Sequence, residues 1–252
     1  MVNVEIKSGE RVDTLVEGRM KIIQSPEVFS FGMDAVLLSR FPKLPKRADK
    51  LILDICAGNG AVGLLASSAT KAQIIEIELQ EKLADMAERS VELNGSSTQV
   101  RVICDDLKNT LHHVASSTVD LIFCNPPYFK FSHEKSLNEN DALTIARHEI
   151  KTNFETICQV AQQALKPSGH FALVHRPERF LELTDSLRQY NLVPKRIQFV
   201  YPKLGSEANL VLIDAVKDGK AGGEKFLSPL IVHESNGNYT DEINKIYFEE
   251  KK

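Results

Sequence analysis

Four consecutive residues, Asn125-Pro126-Pro127-Tyr128, follow the apolar segment Val119–Cys124 and have the clearest chemical character in the chain. Two adjacent prolines remove two backbone N–H groups and hold the backbone extended. The Asn125 amide oxygen and the Pro126 carbonyl then become rigid acceptors for both hydrogens of one planar amine. Accepting both stabilises the charge that develops when the nitrogen attacks an electrophile such as a methyl sulfonium. Tyr128 can stack on the planar group, although the same residues could instead form only a stiff turn.

A glycine-rich turn lies earlier in the chain, in the stretch LILDICAGNGAVG. Its glycines allow a sharp bend and a close approach of the backbone to a ligand. Such a turn also occurs in many α/β domains for packing alone, so by itself it is weak evidence of binding. Together with the acids described next, it predicts a cofactor site that includes Asp54, Cys56, Ala57, Gly58, Asn59 and Gly60.

Two more acidic positions follow the next two strand patterns. Glu78 ends the second strand, at the spacing expected for a carboxylate that accepts hydrogen bonds from both ribose hydroxyls. Asp106, followed by Leu107, comes after the third strand and could accept from an adenine amine. Ligands of such folds bind beyond the carboxyl ends of adjacent strands. Acids at successive strand ends therefore predict one nucleoside site.

The charge of the turn bears on which nucleoside binds. A dinucleotide places its pyrophosphate on a helix N-terminus, where Asp54 would repel it. S-adenosylmethionine carries a cationic sulfonium and an ammonium group, which Asp54 would attract. The electrostatics favour S-adenosylmethionine over a dinucleotide.

The elements that position these residues alternate between strands and helices. Seven strands are predicted near residues 51–56, 73–78, 99–104, 119–124, 170–175, 196–201 and 209–216. Helices are predicted near 34–41, with Asp34 as N-cap, and near 61–68, 80–94, 152–165, 177–190 and 240–251, with Thr240 as cap. Strands separated by helices predict an α/β fold, with a mostly parallel seven-stranded sheet covered by helices on both faces. We divide the chain into an N-terminal segment, 1–47, and a main domain with a C-terminal extension, 48–252.

Composition and net charge limit which partners, metals and cellular compartments are expected for this chain. The chain has 252 residues, with 42% hydrophobic and 26% charged residues, and a net charge of −3. A nucleic-acid partner would therefore need a local basic patch. The four cysteines are widely spaced, which argues against a zinc site and favours a reducing compartment. Without an apolar signal core or a long apolar run, we expect a cytoplasmic protein with no metal and no membrane association.

The order D-x-C-A-G-N-G, Glu78, Asp106 and N-P-P-Y resembles the class I, Rossmann-like amino-methyltransferases. The flanking stretches SPEVFSFGMDAVLLSRF, ARHE and PLIVHESNGNYTDEI look like those of the bacterial valine-tRNA (adenine-37-N6)-methyltransferases. The resemblance implies methyl transfer from S-adenosylmethionine to the N6 amine of an adenine beside the tRNA anticodon. Such a loop base is already unpaired, so little free energy is needed to flip it into an active site. The N-terminal segment would then close over the cofactor, with Phe31 and Asp34 near it.

Other acceptors remain open, because N-P-P-Y also serves amide nitrogens. The same chemistry could act on an adenine or guanine of ribosomal RNA or DNA, or on the glutamine amide of a release factor. A hypothesis of a different kind is a non-catalytic module that only binds a cofactor or RNA. The short N-terminal segment argues against the release-factor type, whose members have a substantial helical domain there. The residues expected to contact the substrate are Tyr128, Phe129, Lys130, Arg147, Arg176, Lys195 and Arg196, although each basic residue alone is more often a solvated surface charge.

Overall fold

The structure is a computed structural model that describes residues 4–15, 20–28, 31–126 and 154–248. Its first elements are a hairpin of β1 (Arg11–Thr14) and β2 (Lys21–Gln24), followed by helix α1 (Met33–Arg40). The first half of the alternating region then comprises β3 (Leu51–Ile55), α2 (Ala61–Ser67), β4 (Gln73–Glu78), α3 (Glu81–Leu93), β5 (Val100–Cys104), a 3-10 turn (Leu107–Asn109), α4 (Thr110–His113) and β6 (Val119–Cys124).

The description resumes with the second half of the alternating region. Its elements are α5 (Phe154–Ala164), β7 (Leu165–His175), a 3-10 turn (Pro177–Arg179), α6 (Phe180–Gln189), β8 (Leu192–Lys203) and β9 (Leu210–Lys217). A C-terminal extension adds β10 (Lys225–Phe226), β11 (Leu230–His233) and α7 (Asp241–Phe248).

The main sheet has the strand order β10-β8-β9-β7-β6-β3-β4-β5, and β11 also pairs with β8. All neighbouring pairs are parallel except β7–β9 and β8–β9. Strand β3 has β4 on one side and β6 on the other, so the direction of the connections reverses between β3 and β6. Open α/β sheets bind ligands in the crevice at such a reversal.

Helices cover both faces of the sheet and bury two hydrophobic clusters. Helices α1, α2 and α7 contribute Val36, Leu64 and Ile243 to one cluster. Helices α5 and α6 contribute Ile157 and Leu183 to the other. The predicted α/β class, with a mostly parallel sheet covered on both faces, is confirmed.

Three details differ from the sequence prediction. The described sheet has nine strands because β10 and β11 extend the β8 edge beyond the seven predicted strands. The N-cap of α1 is Gly32, while Asp34 lies in the first turn of the helix, where an acid interacts favourably with the helix dipole. Strand β7 begins at Leu165, directly after α5, and its pairing with β6 shifts register between Val119 and Leu121.

The cysteines are less uniformly buried than their apolar flanks suggest. Cys124 and Cys158 are buried, Cys56 is half-buried and Cys104 is exposed. No helix in the described ranges is long and apolar enough to cross a membrane. The same ranges contain no group of three or more His, Cys, Asp or Glu side chains arranged to hold a metal ion.

Candidate cofactor and catalytic site

The glycine turn lies at the carboxyl end of β3, beside the reversal point of the sheet. Cys56, Gly58 and Gly60 all have positive φ angles, of 59°, 60° and 80°. This conformation carries the chain over the strand end and into α2, whose N-cap is Gly60. A Cβ at Gly58 would meet nothing within 4 Å, so the outer side of the turn is open. Asn59 is buried and donates from Nδ2 to the Ile23 carbonyl, which ties the turn to β2.

Glu78 lies at the end of β4 and holds the turn from below. Its Oε2 accepts from the Gly58 N–H at 2.8 Å, and its Oε1 accepts from the Gln80 N–H at 2.9 Å. Each carboxylate oxygen has a second lone pair, so Glu78 can hold the turn and still accept hydrogen bonds from a ligand. Burial raises the pKa of Glu78, and the backbone N–H groups that it accepts from oppose that rise.

The acids after β5 have different local partners. Asp106 accepts from the Lys108 N–H at 3.0 Å and caps the 3-10 turn, and Leu107 beside it is buried. The hydrogen bond from Asn109, followed by that of His113, lowers the pKa of Asp105 to about 2. Asp106 therefore lies at the expected strand end, and its second carboxyl oxygen accepts no hydrogen bond from the described residues.

Asp54 lies beneath the turn and is fully buried, together with a second acid that the sequence analysis did not single out. Its Oδ2 accepts from the Gly63 N–H at 3.1 Å, and its Cα pairs in register with that of Glu76 on β4. Glu76 is also fully buried. Its alternation with Glu78 along β4 could have indicated that the two acids share one face, but an acid within a strand more commonly faces solvent.

The N-terminal residues predicted near the cofactor lie on the same side of the sheet as the turn. Asp34 is buried in the first turn of α1, and its Oδ1 lies 2.9 Å from the Ala35 N–H. Phe31 packs against the cluster that contains α1 and α2, and its N–H donates to Gln24 at 3.2 Å. Their contact with a cofactor stays a prediction, as does the packing of residues 1–47 over the site.

Asn125 and Pro126 follow β6, directly beside the glycine turn. Cys124 pairs in register with Ile55, so Asn125 and Cys56 leave neighbouring strands at the same level. Asn125 is half-buried and Pro126 is buried. This places the predicted acceptor pair at the crevice between β3 and β6. The other predicted residues of this loop, Pro127, Tyr128, Phe129, Lys130 and Arg147, lie outside the described residues.

The three described basic residues predicted to bind the substrate are not brought together. Arg176 is exposed at the carboxyl end of β7 and donates to the Asn209 carbonyl at 2.9 Å. Lys195 donates to backbone carbonyls of the loop after β9. Arg196 donates to the Phe41 carbonyl at 2.9 Å, and its guanidinium lies 4.8 Å from the Phe41 ring centroid.

The register of the sheet explains this separation. Arg196 pairs with Asp214 on β9, which is level with Ala172 on β7, four residues before Arg176. At about 3.3 Å per residue, Arg196 lies roughly 13 Å below the level of Arg176. It ties the end of α1 to the sheet, and only Arg176 of the three reaches the carboxyl edge.

His175, the last residue of β7, is a further polar group that the sequence analysis missed. Its side chain is almost fully buried, and its Nδ1 accepts from the Arg176 N–H at 2.7 Å. Burial, reinforced by the Arg179 guanidinium, lowers the pKa of His175 to about 4. The imidazole is therefore neutral at physiological pH, one strand away from Asn125.

Comparison with known proteins gives one family. The model of the methyltransferase small domain family matches residues 19–200. Two curated relatives are both named tRNA1(Val) (adenine(37)-N6)-methyltransferase. The protein from Shewanella halifaxensis is 31% identical over 159 residues, which is 63% of this chain and 63% of that protein. The protein from Bacteroides fragilis is 28% identical over 218 residues, 85% of this chain and 87% of that protein.

A solved structure supports the same fold. The predicted O-methyltransferase from Agrobacterium tumefaciens has a TM-score of 0.67 at 23% identity, and the match covers 85% of this chain and 95% of that chain. At this identity the similarity supports the fold alone.

Proposed function

Because this chain belongs to the methyltransferase small domain family, we propose that it methylates the exocyclic N6 amine of an adenine in tRNA, at position 37 beside the anticodon. The methyl donor of this methyltransferase is S-adenosyl-L-methionine. The observation that carries the proposal is the position of Asn125 and Pro126 at the end of β6, level with the glycine turn that follows β3.

The described residues fit the cofactor. The outer side of the turn at Gly58 is open, and Glu78 retains acceptor capacity beside it. Asp54 Oδ1 is buried without a hydrogen-bond partner, and among the described residues no Lys, Arg or His forms an ion pair with this acid. Glu78 would hold the ribose hydroxyls, and Asp54 would attract the cationic end of the methionine group.

When bound, S-adenosylmethionine supplies a methyl group on a cationic sulfur. The work of the protein is to activate and orient the amine. The Asn125 amide oxygen and the Pro126 carbonyl accept the two amine hydrogens, which frees the nitrogen lone pair from the aromatic ring. Acceptors held on a rigid strand end need no reorganisation as positive charge develops on the nitrogen.

The choice of acceptor is supported by the two relatives, both of which are named for adenine 37 of tRNA1(Val). An anticodon-loop base is unpaired, so the protein needs little energy to bring it to Asn125. With a net charge of −3, the chain would bind RNA through local cations. Of the described candidates, Arg176 is exposed at the carboxyl edge, so our proposed RNA surface includes Arg176 and omits Lys195 and Arg196.

The substrate class is tested by incubating the purified protein with tritiated S-adenosylmethionine and, in separate reactions, total tRNA, ribosomal RNA, DNA and a release factor. We expect label in tRNA and recovery of N6-methyladenosine after digestion to nucleosides. A valine tRNA transcript with guanine in place of adenine 37 is the matched control and should not be labelled. Label in the release factor, or equal label in the control transcript, would contradict the proposal.

A further inference from the structure

Three acids share one face of two adjacent strands beneath the glycine turn. Asp54 on β3 pairs in register with Glu76 on β4, and Glu78 is two residues further along β4 on the same face. Asp54 and Glu76 are fully buried and Glu78 is 6% exposed. Of these, Glu78 has a structural explanation, since one of its oxygens accepts from the Gly58 N–H of the turn and the other from the Gln80 N–H at the start of α3.

Asp54 and Glu76 are only partly explained by hydrogen bonding. Asp54 Oδ1 and both carboxyl oxygens of Glu76 are buried without a hydrogen-bond partner. Among residues 4–15, 20–28, 31–126 and 154–248, no Lys, Arg or His forms an ion pair with either acid. Two unpaired carboxylates in such a place would be very unfavourable.

The elements packed around the pair supply no compensating charge. Helix α2 contains no titratable residue. The register partners of the acids on the outer strands are Phe123 on β6 and Val102 on β5, and Ala87 is the α3 residue nearest the turn. Among the described residues, the remaining titratable neighbours are Glu78, its register partner Cys104 on β5, and Cys124 at the end of β6, a thiol whose pKa Asp54 helps to raise.

The carboxyl group of Glu76 also fills the space left by two glycines. A Cβ at Gly60 would lie 2.6 Å from Glu76 Oε2, and a Cβ at Gly63 would lie 2.1 Å from Glu76 Oε1. The acid therefore packs directly against the backbone that forms the turn. Its carboxyl group therefore lies directly beneath the turn proposed to hold the cofactor.

We propose that Asp54 and Glu76 form an acid pair that holds a proton in the free protein and releases it to solvent when the cationic end of S-adenosylmethionine binds, so that Glu76 is a determinant of cofactor affinity. Burial raises the pKa of Asp54 to about 8, with the Gly63 N–H opposing this and the Glu78 carboxylate adding to it. Burial, together with Asp54, raises the pKa of Glu76 well above its usual range. A cation nearby favours the ionised form, so cofactor and proton compete.

The cofactor loses its positive sulfur in the reaction, and this gives the pair a role in turnover. S-adenosylhomocysteine, the product, has a neutral thioether and repels the proton less. As pH rises and the pair loses its proton, the affinity for the donor therefore increases more than the affinity for the product. This inference rests on the proposed cofactor and is independent of which amine receives the methyl group.

The first test compares the affinities of the full-length protein for S-adenosylmethionine and S-adenosylhomocysteine between pH 6 and 8.5. Proton release makes the affinity for S-adenosylmethionine increase with pH, by up to about tenfold per pH unit, and level off above the raised pKa. The slope for S-adenosylhomocysteine should be smaller. Both ligands carry an α-amino group that is protonated below about pH 7.5, so the two slopes are compared between pH 6 and 7.5, where this group does not titrate.

The Glu76→Gln variant keeps the shape of the side chain and removes one acid of the pair. The remaining acid, Asp54, then loses one of its two acidic neighbours and keeps only Glu78, so its pKa falls and fewer protons oppose binding at low pH. We expect S-adenosylmethionine to bind at least about threefold more tightly than to wild type at pH 6.5, with the plateau reached at a lower pH. Glu88→Gln removes an exposed acid of α3 and should behave like wild type.

Calorimetry of the wild-type protein gives a second readout that needs no variant. The binding enthalpy of S-adenosylmethionine at pH 7 should change with the ionisation enthalpy of the buffer in the direction of proton release, and more than that of S-adenosylhomocysteine. Equal buffer dependence for the two ligands, or the same pH profile in wild type and Glu76→Gln, would overturn the inference. A complete absence of S-adenosylmethionine binding would instead overturn the proposed cofactor.

Discussion

At the scale of single residues, the contact between Gly63 and Glu76 makes position 63 sensitive to one added methyl group. Alanine within a helix is normally more stable than glycine by about 0.5–1 kcal/mol. At Gly63 the new Cβ would lie 2.1 Å from Glu76 Oε1 and 3.1 Å from its Cγ, and the full burial of Glu76 leaves its side chain little room to move. We expect Gly63→Ala to lower the free energy of unfolding by about 2 kcal/mol in urea denaturation.

The matched control for this prediction is the double variant Gly63→Ala with Glu76→Ala. Removing the carboxyl group relieves the clash, so the effect of Gly63→Ala should be much smaller in the Glu76→Ala background. Equal effects in the two backgrounds would show that Glu76 does not limit the space at Gly63.

His175 makes stability depend on pH in a defined direction. Its pKa is lowered from 6.5 to about 4 by burial, so the unfolded chain binds the proton more readily than the folded protein. The stabilisation is complete above pH 6.5 and is lost as pH falls toward 4, by up to about 3 kcal/mol. His175→Gln retains an acceptor for the Arg176 N–H but cannot titrate. Urea denaturation at pH 7 and pH 4.5 should show a smaller acid loss for the variant, and equal losses would contradict this.

The single residues also show where sequence reasoning ends. Asp54, Gly58, Glu78 and Asn125 lie at strand ends because their motifs interrupt apolar runs, which is visible in the sequence. Arg196 looks like a surface cation in the sequence, yet it packs on Phe41, 155 residues away along the chain. Such long-range contacts follow from the register of the sheet, which no local pattern provides.

At the scale of elements, the N-terminal hairpin is held against α3 by Arg89. Its guanidinium donates to both oxygens of Glu10 and also to Asp85. The Arg89 and Glu10 side chains are only 11% and 3% exposed. This anchoring keeps β2 beside Asn59 and therefore beside the glycine turn.

Arg89→Ala should leave Glu10 buried without its partner. Breaking a buried ion pair from one side costs about 3 kcal/mol, so the free energy of unfolding should fall by that amount in urea denaturation. The control is Lys82→Ala, which removes an exposed pair with Glu27 and should change stability by less than about 1 kcal/mol. Similar losses in both variants would argue against a specific anchor at Arg89.

The C-terminal helix α7 closes one face of the sheet by packing on α1 and β11. Ile243 is fully buried there, so Ile243→Ala should cost about 3 kcal/mol, measured by thermal or urea denaturation. Leu181, which is 74% exposed on α6, provides the control, and Leu181→Ala should have little effect. An Ile243→Ala variant as stable as the control would mean that α7 does not contribute to the core.

The ends of helices were predictable to different degrees. Thr240 caps α7 as its position predicts, with its Oγ1 accepting from the Ile243 N–H at 3.4 Å. Asp34 has the residue type of a cap but lies two residues inside α1, because Gly32 makes the turn into the helix. The short strands β10 and β11 lack a clear alternation, and their pairing with β8 depends on the length of that strand.

At the scale of the whole molecule, the topology brings distant parts of the sequence to one edge. The glycine turn, Glu78, Asn125 and His175 come from four strands that run in the same direction. The alternation of apolar segments predicts this arrangement, since strands joined by helices form parallel sheets whose carboxyl ends coincide. The juxtaposition of the acids Asp54 and Glu76 beneath the turn is not predictable in this way, because it depends on which side chains share a face of the sheet.

We propose that Asn125 activates an adenine amine of tRNA while the glycine turn binds the cofactor independently. The most direct measurement is N6-methyladenosine formed in valine tRNA by wild type and Asn125→Ala, with S-adenosylmethionine affinity determined for both. Asn238→Ala, at an exposed position of the C-terminal extension, is the matched control. We expect at least about 100-fold slower methylation for Asn125→Ala, with cofactor affinity close to that of wild type. Undiminished methylation by Asn125→Ala, or no N6-methyladenosine from the wild-type protein, would contradict it.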